Sequence, residues 1–327
     1  DKAAEYGVDT FWGILETLAG RGDVESAMEK KIKAYLNGSL GTDNFISLDK
    51  MIIVNSILSN NDAKIDWAFR QSGIGSVLNA ACNVNSAALA NCNTVNEIAA
   101  STEALNAIFA NKQALELCCK NSVLVKKFSD EDIIAQGVGH TAFNVGDLIT
   151  LNYNGNATKF RVVHKDYLTK GKIVLLSEDC VSQEKWGGYN NNNYSTSTIR
   201  TYLNSTALKG FSQKIQNAIT TPDLPCHDYQ TAITLNDKIW LPSYTEMGDR
   251  ASTYAPDEGF VFAYYKNATG SKRVKKFNNN AVYWWLRTPI VGNNAYEKGV
   301  WIVQDDGYCN YEGSTTKTRG VALAFEI

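Results

Sequence analysis

Several specialised classes are excluded by what this sequence has little of. Its 327 residues include 5 Pro, 3 Met and 3 His. Seven Cys is an odd number with no CxxC spacing, which argues against a full disulfide framework or a zinc ribbon. Cys82 and Cys92 read instead as small apolar packing residues. No run approaches the roughly 18–20 apolar residues of a membrane span. Lys and Arg number 32 against 34 Asp and Glu, a net charge of -2, so no basic excess exists to neutralise a phosphate backbone. A nucleic-acid partner is not expected, nor is a membrane span. No charged segment followed by an apolar core opens the chain, so a standard N-terminal secretion signal has no support.

Catalytic templates are missing as well. There is no GxxxxGK[ST], HExxH or GxSxG, and Gly137-Val138-Gly139 matches only the start of a dinucleotide loop. Cys226-His227-Asp228 offers too few ligands for a metal. His140, His164 and His227 lie in dissimilar contexts. The carboxylates at Asp130–Asp132 and Asp305-Asp306 read as solvated charges. The expectation is a protein without catalysis, cofactor or metal.

What is abundant is polarity without charge: 32 Asn, 24 Gly, 16 Tyr and 7 Trp. Asn, Tyr, Ser, Thr and Gly together form the palette of loops that bind through adaptable hydrogen bonds and flat aromatic area.

Three zones are legible. Residues 1–75 read as a module of short amphipathic helices, with Asp23, Ser47 and Asp62 as capping residues. Residues 76–136 read as a helical spacer with a ten-residue period. Asn91, Ser101, Asn111 and Asn121 fall in one column, Val95, Leu105 and Leu115 in a second, and Ile98, Ile108 and Cys118 in a third. A single irregular Ala-rich helical region is the alternative. From Gly137 the text turns β-branched, aromatic and Gly-broken. Strands are expected at 147–153, 158–164, 172–176, 238–242, 281–287, 299–304, 307–311 and 320–325, with Asn154-Gly155 as a hairpin turn. Helices are expected at 197–203 and 210–219, and a helical turn at 243–247. The fold class is α+β.

Residues 137–327 carry a more specific set. It runs Phe160-Arg161-Val162-Val163-His164-Lys165-Asp166-Tyr167-Leu168, Val174-Leu175-Leu176, Ser197-Thr198-Ile199-Arg200-Thr201-Tyr202-Leu203-Asn204 and Asp237-Lys238-Ile239-Trp240-Leu241-Pro242-Ser243 with Glu246. It ends with Tyr283-Trp284-Trp285-Leu286-Arg287-Thr288-Pro289 and Arg319-Gly320-Val321-Ala322-Leu323-Ala324-Phe325-Glu326-Ile327. In that order these resemble a domain family common in phage and prophage tail proteins and in surface proteins of Clostridia-like bacteria. Ala322 and Leu323 stand where that family usually has Arg and Pro. The family is similar in layout to the C-type-lectin-like fold of formylglycine-generating enzymes and phage receptor-binding variable proteins. The resemblance implies a compact scaffold that displays a surface from its final hairpins. The oxidase members of that wider fold need a cysteine pair near the end, and only Cys309 lies there, so their chemistry is not implied. The ten-residue period also resembles the Ala- and Asn-rich repeats that often precede such domains.

Trp284 and Trp285 alternate on a strand, which predicts one in the core and one near a surface. Arg287 reads as structural, bonded to loop carbonyls or a carboxylate such as Glu326, and Arg200 likewise. Between the fixed motifs lies a polar, aromatic insert, 291–318. Its candidate ligand-binding residues are Asn293, Asn294, Tyr296, Trp301, Asp305, Asp306, Tyr308, Asn310 and Tyr311. Aromatic faces beside amides and carboxylates suit a sugar. A second polar run, Trp186-Gly187-Gly188-Tyr189 through Asn190–Asn193 and Tyr194, is a candidate for the same surface. The cluster Lys266, Lys272, Arg273, Lys275 and Lys276 reads as a solvated loop.

The sequence reading is therefore a tail-fibre or receptor-binding protein on the surface of a phage-like particle. It would bind a host-surface glycan or protein through its C-terminal domain and contact other particle subunits through its N-terminal helices. A homo-oligomer, with a trimer as the first expectation, follows by analogy. A structural or decoration protein and a carbohydrate-active enzyme on the same scaffold are the alternatives.

Overall fold

Short helices run along the described chain, and strands join them from Leu148 onward. The computed structural model describes residues 53–54, 56–249, 252–292 and 298–327. The helix expected after Asp23, the start of that expected after Ser47, and Asn293, Asn294 and Tyr296 lie outside the described residues. The chain divides into two compact units, residues 1–129 and 130–327.

In the first unit every described helix is short. Asn61 rather than Asp62 caps the helix Asp62–Phe69, accepting from the Lys64 amide. Helices follow at Ile74–Ala81, Ala87–Ala90, Val95–Ala100, Thr102–Phe109 and Lys112–Cys119. Segments this short are marginal alone and draw stability from caps and packing. Ser101 caps by accepting from the Ala104 amide and Asn111 from the Ala114 amide, and Asn121 accepts from the Val123 and Leu124 amides. Asn91 instead ends Ala87–Ala90, and Thr94 caps the next helix. Ile98, Ile108 and Cys118 are all buried, as are Cys82 and Cys92. Gly75 is required by close approach: a Cβ there would lie 2.1 Å from the Leu89 carbonyl oxygen.

The second unit is α+β. Its strands are β1 Leu148–Tyr153, β2 Asn156–Lys165, β3 Ile173–Ser177, β4 Ser182–Lys185, β5 Asp223–Asp228, β6 Thr231–Asn236 and β7 Lys275–Phe277. They continue with β8 Asn280–Val282, β9 Trp284–Pro289, β10 Val300–Val303, β11 Cys309–Glu312, β12 Thr318–Val321 and β13 Ala324–Glu326. One sheet runs β1-β2-β3-β13 and a second β11-β10-β9-β12-β4, with β5-β6 and β7-β8 as separate hairpins. Asn154 (φ 49°) and Gly155 (φ 76°) form the β1–β2 turn, the left-handed pair such a hairpin needs. Phe160, Phe211 and Phe325 meet in the core at centroid distances of 5.1–5.6 Å.

Several expectations are corrected. Residues 238–242 form no strand, only a bridge from Trp240 to Ala324. The run 320–325 is broken into β12 and β13, and β4, β5, β6 and β7 were not foreseen. Both Trp284 and Trp285 are fully buried, because β9 lies inside its sheet with both faces covered. Asp130–Asp132 is no solvated loop. It opens the helix Asp130–Ala135, where Asp130 accepts from the Thr150 amide (2.7 Å) and Glu131 from the Asn152 amide (2.9 Å). These two carboxylates cover the open edge of β1, so the second unit begins ahead of Gly137.

Candidate functional site

The insert expected to form one display surface is folded back on itself. Strands β9, β10 and β11 are antiparallel neighbours. The β9–β10 connection and the β10–β11 turn therefore lie at opposite ends of the sheet. Asn293, Asn294 and Tyr296 belong to the first by sequence. Asp305, Asp306 and Tyr308 sit on the second. That turn is docked closely: Gly307 has φ 86°, and a Cβ on it would lie 1.8 Å from the Gly270 carbonyl oxygen. Tyr308 is exposed, and the neighbouring Cys309 amide donates to Asp249 (2.8 Å).

Trp301 is not displayed. It is 3% exposed, its Nε1 donates to the Tyr254 carbonyl (3.3 Å), and its ring lies 4.1 Å from Tyr244 and 4.5 Å from Tyr311. The pairing of Trp301 with Tyr311 across β10 and β11 is a cross-strand aromatic contact. Tyr254 stands edge-on to Tyr311 at 6.1 Å and is partly exposed. Asn310 is half-buried and accepts from the Tyr311 amide through its Oδ1. Trp301 thus supports the partly exposed tyrosines. Trp301→Ala is expected to cost about 3–5 kcal/mol, the range for deleting a buried aromatic. Tyr308→Ala is expected to stay within about 0.5 kcal/mol. Urea unfolding of the two variants checks both, and equal losses would contradict this placement.

The second polar run does join the β9–β10 end. Trp186 and Tyr194 are fully buried and pin the two ends of the loop, with Trp186 Nε1 donating to the Leu286 carbonyl (3.0 Å). Between them Tyr189 is 80% exposed. The Gly187 amide donates to the Thr315 carbonyl (3.0 Å), and the Thr315 hydroxyl to the Gly188 carbonyl (2.6 Å). Asn192 Nδ2 donates to the Ile290 carbonyl (3.3 Å). Three segments distant in sequence therefore converge: the 187–193 loop, the start of the β9–β10 connection, and the turn at 313–317. Glu312 holds that turn, accepting from Lys317 (2.9 Å) and Arg319 (2.7 Å). Burial alone would raise the Glu312 pKa, but these two cations outweigh it and hold the carboxyl below its ordinary value.

Residues 170–327 match a family described as a domain of unknown function (DUF6273). No curated protein and no solved structure matches the chain. The matched segment starts between β2 and β3. It contains every residue of the surface just described.

Within the matched segment, a buried ionic cluster holds the scaffold. Arg287 is fully buried and bonds Glu246 with both terminal nitrogens (2.7 and 2.8 Å) and the Leu241, Pro225 and Glu258 carbonyls. The carboxylate partner is Glu246, not Glu326. Glu326 instead accepts from the Leu168 and Thr169 amides (both 3.0 Å). Glu246 also accepts from the Tyr167 hydroxyl (2.8 Å) and completes a capping box with Ser243. Glu258 was not foreseen. It accepts from Thr288 (2.5 Å) and from the His227 amide (2.7 Å), and burial pushes its pKa up to about 7. Both carboxylates are closed to solvent, so the cluster is architectural. Arg200 makes the analogous bidentate contact with Asp237, both bonds 2.8 Å.

The basic run is not one solvated loop. Arg273 and Lys275 are buried; Arg273 donates to the Met247 and Gly248 carbonyls, and Lys275 to those of Ser177 and Glu178. Lys272 stacks over the Tyr264 ring at 4.8 Å. Among the described residues no His, Cys, Asp and Glu group suits a metal, and no helix is long and apolar enough to cross a membrane.

Proposed function

We propose that this chain is a tail-fibre or receptor-binding protein of a phage or phage-like particle, recognising a host-surface glycan or protein through its second unit. In this reading the N-terminal helices grip other particle subunits, the helices with ten-residue spacing act as a spacer, and the assembly is a homo-oligomer, a trimer by analogy. The second unit would be a lectin-like display domain without catalysis or cofactor, carried on the outside of the virion.

The observation that carries the reading is the convergence of the 187–193 loop, the start of the β9–β10 connection and the 313–317 turn on a buried aromatic and ionic scaffold. Exposed, Asn- and Tyr-rich loops fixed by rigid elements are where binding residues concentrate. Tyr189 and Asn190 are exposed there, so changing both to Ala should leave the fold intact. The full chain is expected to bind host cells, and the Tyr189→Ala, Asn190→Ala variant to bind about tenfold less or worse. Loss on Tyr308→Ala instead would move recognition to the opposite end of the sheet. No binding by the native chain, even when displayed multivalently, would favour a structural particle protein.

A further inference from the structure

Among the described residues, most strand edges of the second unit are covered, charged or, as on β7 and β8, only three residues long. On β1 the carboxylates of Asp130 and Glu131 take the outward amides. On β13 the Ala324 amide and carbonyl bond Trp240, and the Glu326 carbonyl takes the Thr220 amide. On β11 the outward amides of Cys309 and Tyr311 bond Asp249 and Asn310. The β4 edge carries Glu184 and Lys185, and β7 is only three residues long, with its Lys276 amide bonded to Asp179. Charges, short edges and capping contacts are the means by which proteins keep sheet edges from pairing.

β6 has none of them. It reads Thr-Ala-Ile-Thr-Leu-Asn over residues 231–236, without charge, Pro or bulge, and pairs only with β5. The register places Ala232 opposite His227 and Thr234 opposite Pro225. The His227 amide is turned away to Glu258, and Pro225 has no N–H. These are therefore the wide pairs of the ladder, and their partners on β6 point amide and carbonyl outward. Ala232, Thr234 and Asn236 thus present three N–H and three C=O groups on a free edge. None of these backbone groups has a partner among the described residues.

We propose that β6 joins two copies of this chain by antiparallel pairing about a twofold axis at Thr234. The outward groups are symmetric about that residue: Thr234 meets Thr234 of the second copy, and Ala232 meets Asn236. All three donors and all three acceptors on each chain are then satisfied by identical groups. The uncharged strand meets itself without repulsion, whereas every charged or capped edge of the unit would resist such pairing. A contact of this kind is isologous and links chains in twos. A threefold assembly, if formed, uses other surfaces, and β6 then links neighbouring assemblies.

Sedimentation of the full chain over a wide concentration series tests this. The native chain is expected to show a concentration-dependent association in twos. Thr234→Lys places two ammonium groups directly across the axis and is expected to weaken it about tenfold or more, with the circular dichroism spectrum unchanged. Thr234→Glu is expected to do the same alone. Mixing the Lys and Glu variants is expected to restore pairing, which misfolding could not produce. A native chain that never associates in twos, association untouched by Thr234→Lys, or no recovery in the mixture would each overturn the proposal.

Discussion

Arg287→Met should unfold the second unit or leave it barely stable, with an expected loss of about 3–5 kcal/mol or more. The side chain makes both bonds to Glu246 and reaches three carbonyls from separate segments, all inside the protein. Methionine of similar length would fill much of the space yet leave Glu246 buried without its counter-ion. An uncompensated buried carboxylate costs several kcal/mol, more than a surface pair contributes. Arg287→Lys keeps the charge but not the planar fork and is expected to be nearly as damaging. Adding Glu246→Gln to Arg287→Met should recover part of the loss, because the stranded charge is removed. Urea unfolding followed by tryptophan fluorescence reads this directly, since Trp186, Trp240, Trp284 and Trp285 are all fully buried. A single-variant loss below about 1 kcal/mol would show that the cluster does not hold the scaffold.

The second large effect is a dependence of stability on pH through Glu258. In the folded protein this carboxyl titrates at about 7, against 4.5 for an ordinary glutamate. The cause is first burial; Arg287, which pulls the other way, is committed to Glu246. The folded state therefore keeps a proton that the unfolded chain releases. The stabilising share from Glu258 is complete below about pH 4.5, declines between 4.5 and 7, and is gone above. At about 1.4 kcal/mol per pH unit the whole change is roughly 3 kcal/mol. Glu178 and Glu312, held below their ordinary values chiefly by bonds to cations against the opposing effect of burial, act in the other sense, losing stability as pH falls below the ordinary glutamate value. Glu258→Gln carries no proton to lose. Half-buried His164 and His227, whose pKa values burial lowers, give both proteins a further loss as pH falls below about 6.5. The difference between the two proteins is therefore what reads Glu258: it should move in the variant's favour from pH 5 to 7 and level off above. Superimposable profiles for the two proteins would refute the assignment.

Legibility in the sequence followed the range of the interaction. The Asn154-Gly155 hairpin and the helical turn at 243–247 were readable because each is decided within a few residues. The Asp130–Asp132 carboxylates were misread because their partners, Thr150 and Asn152, lie about twenty positions on. The Arg287 cluster draws Glu246 and Glu258 from 41 and 29 positions away, with no spacing to mark them. The candidate segment is divided for a related reason. Residues 291–318 are contiguous in sequence and alike in composition, but two strand reversals send Asp305, Asp306 and Tyr308 to one end and leave the β9–β10 connection at the other. Composition also could not tell a displayed Trp301 from a buried one. The polar run around Tyr189 was recognised as a loop, while its meeting with Thr315, 127 positions on, was visible only in three dimensions.

All seven thiols are free and buried, four of them in the first unit and three in the second. Burial raises the pKa of six of them, Cys82 to about 11 and Cys119 and Cys180 to about 12, with Cys92, Cys118 and Cys226 moved in the same direction. Cys309 lies on a strand whose amide is already held by Asp249. None of the seven should be alkylated quickly while its surroundings stay closed, since the thiolate is the reactive form. Each therefore serves as a clock for local opening. Pulsed labelling read by peptide mass would time the breathing of the helical unit through Cys82, Cys92, Cys118 and Cys119. Cys180, Cys226 and Cys309 would separately time the sheet unit, in a single sample and without any engineered probe.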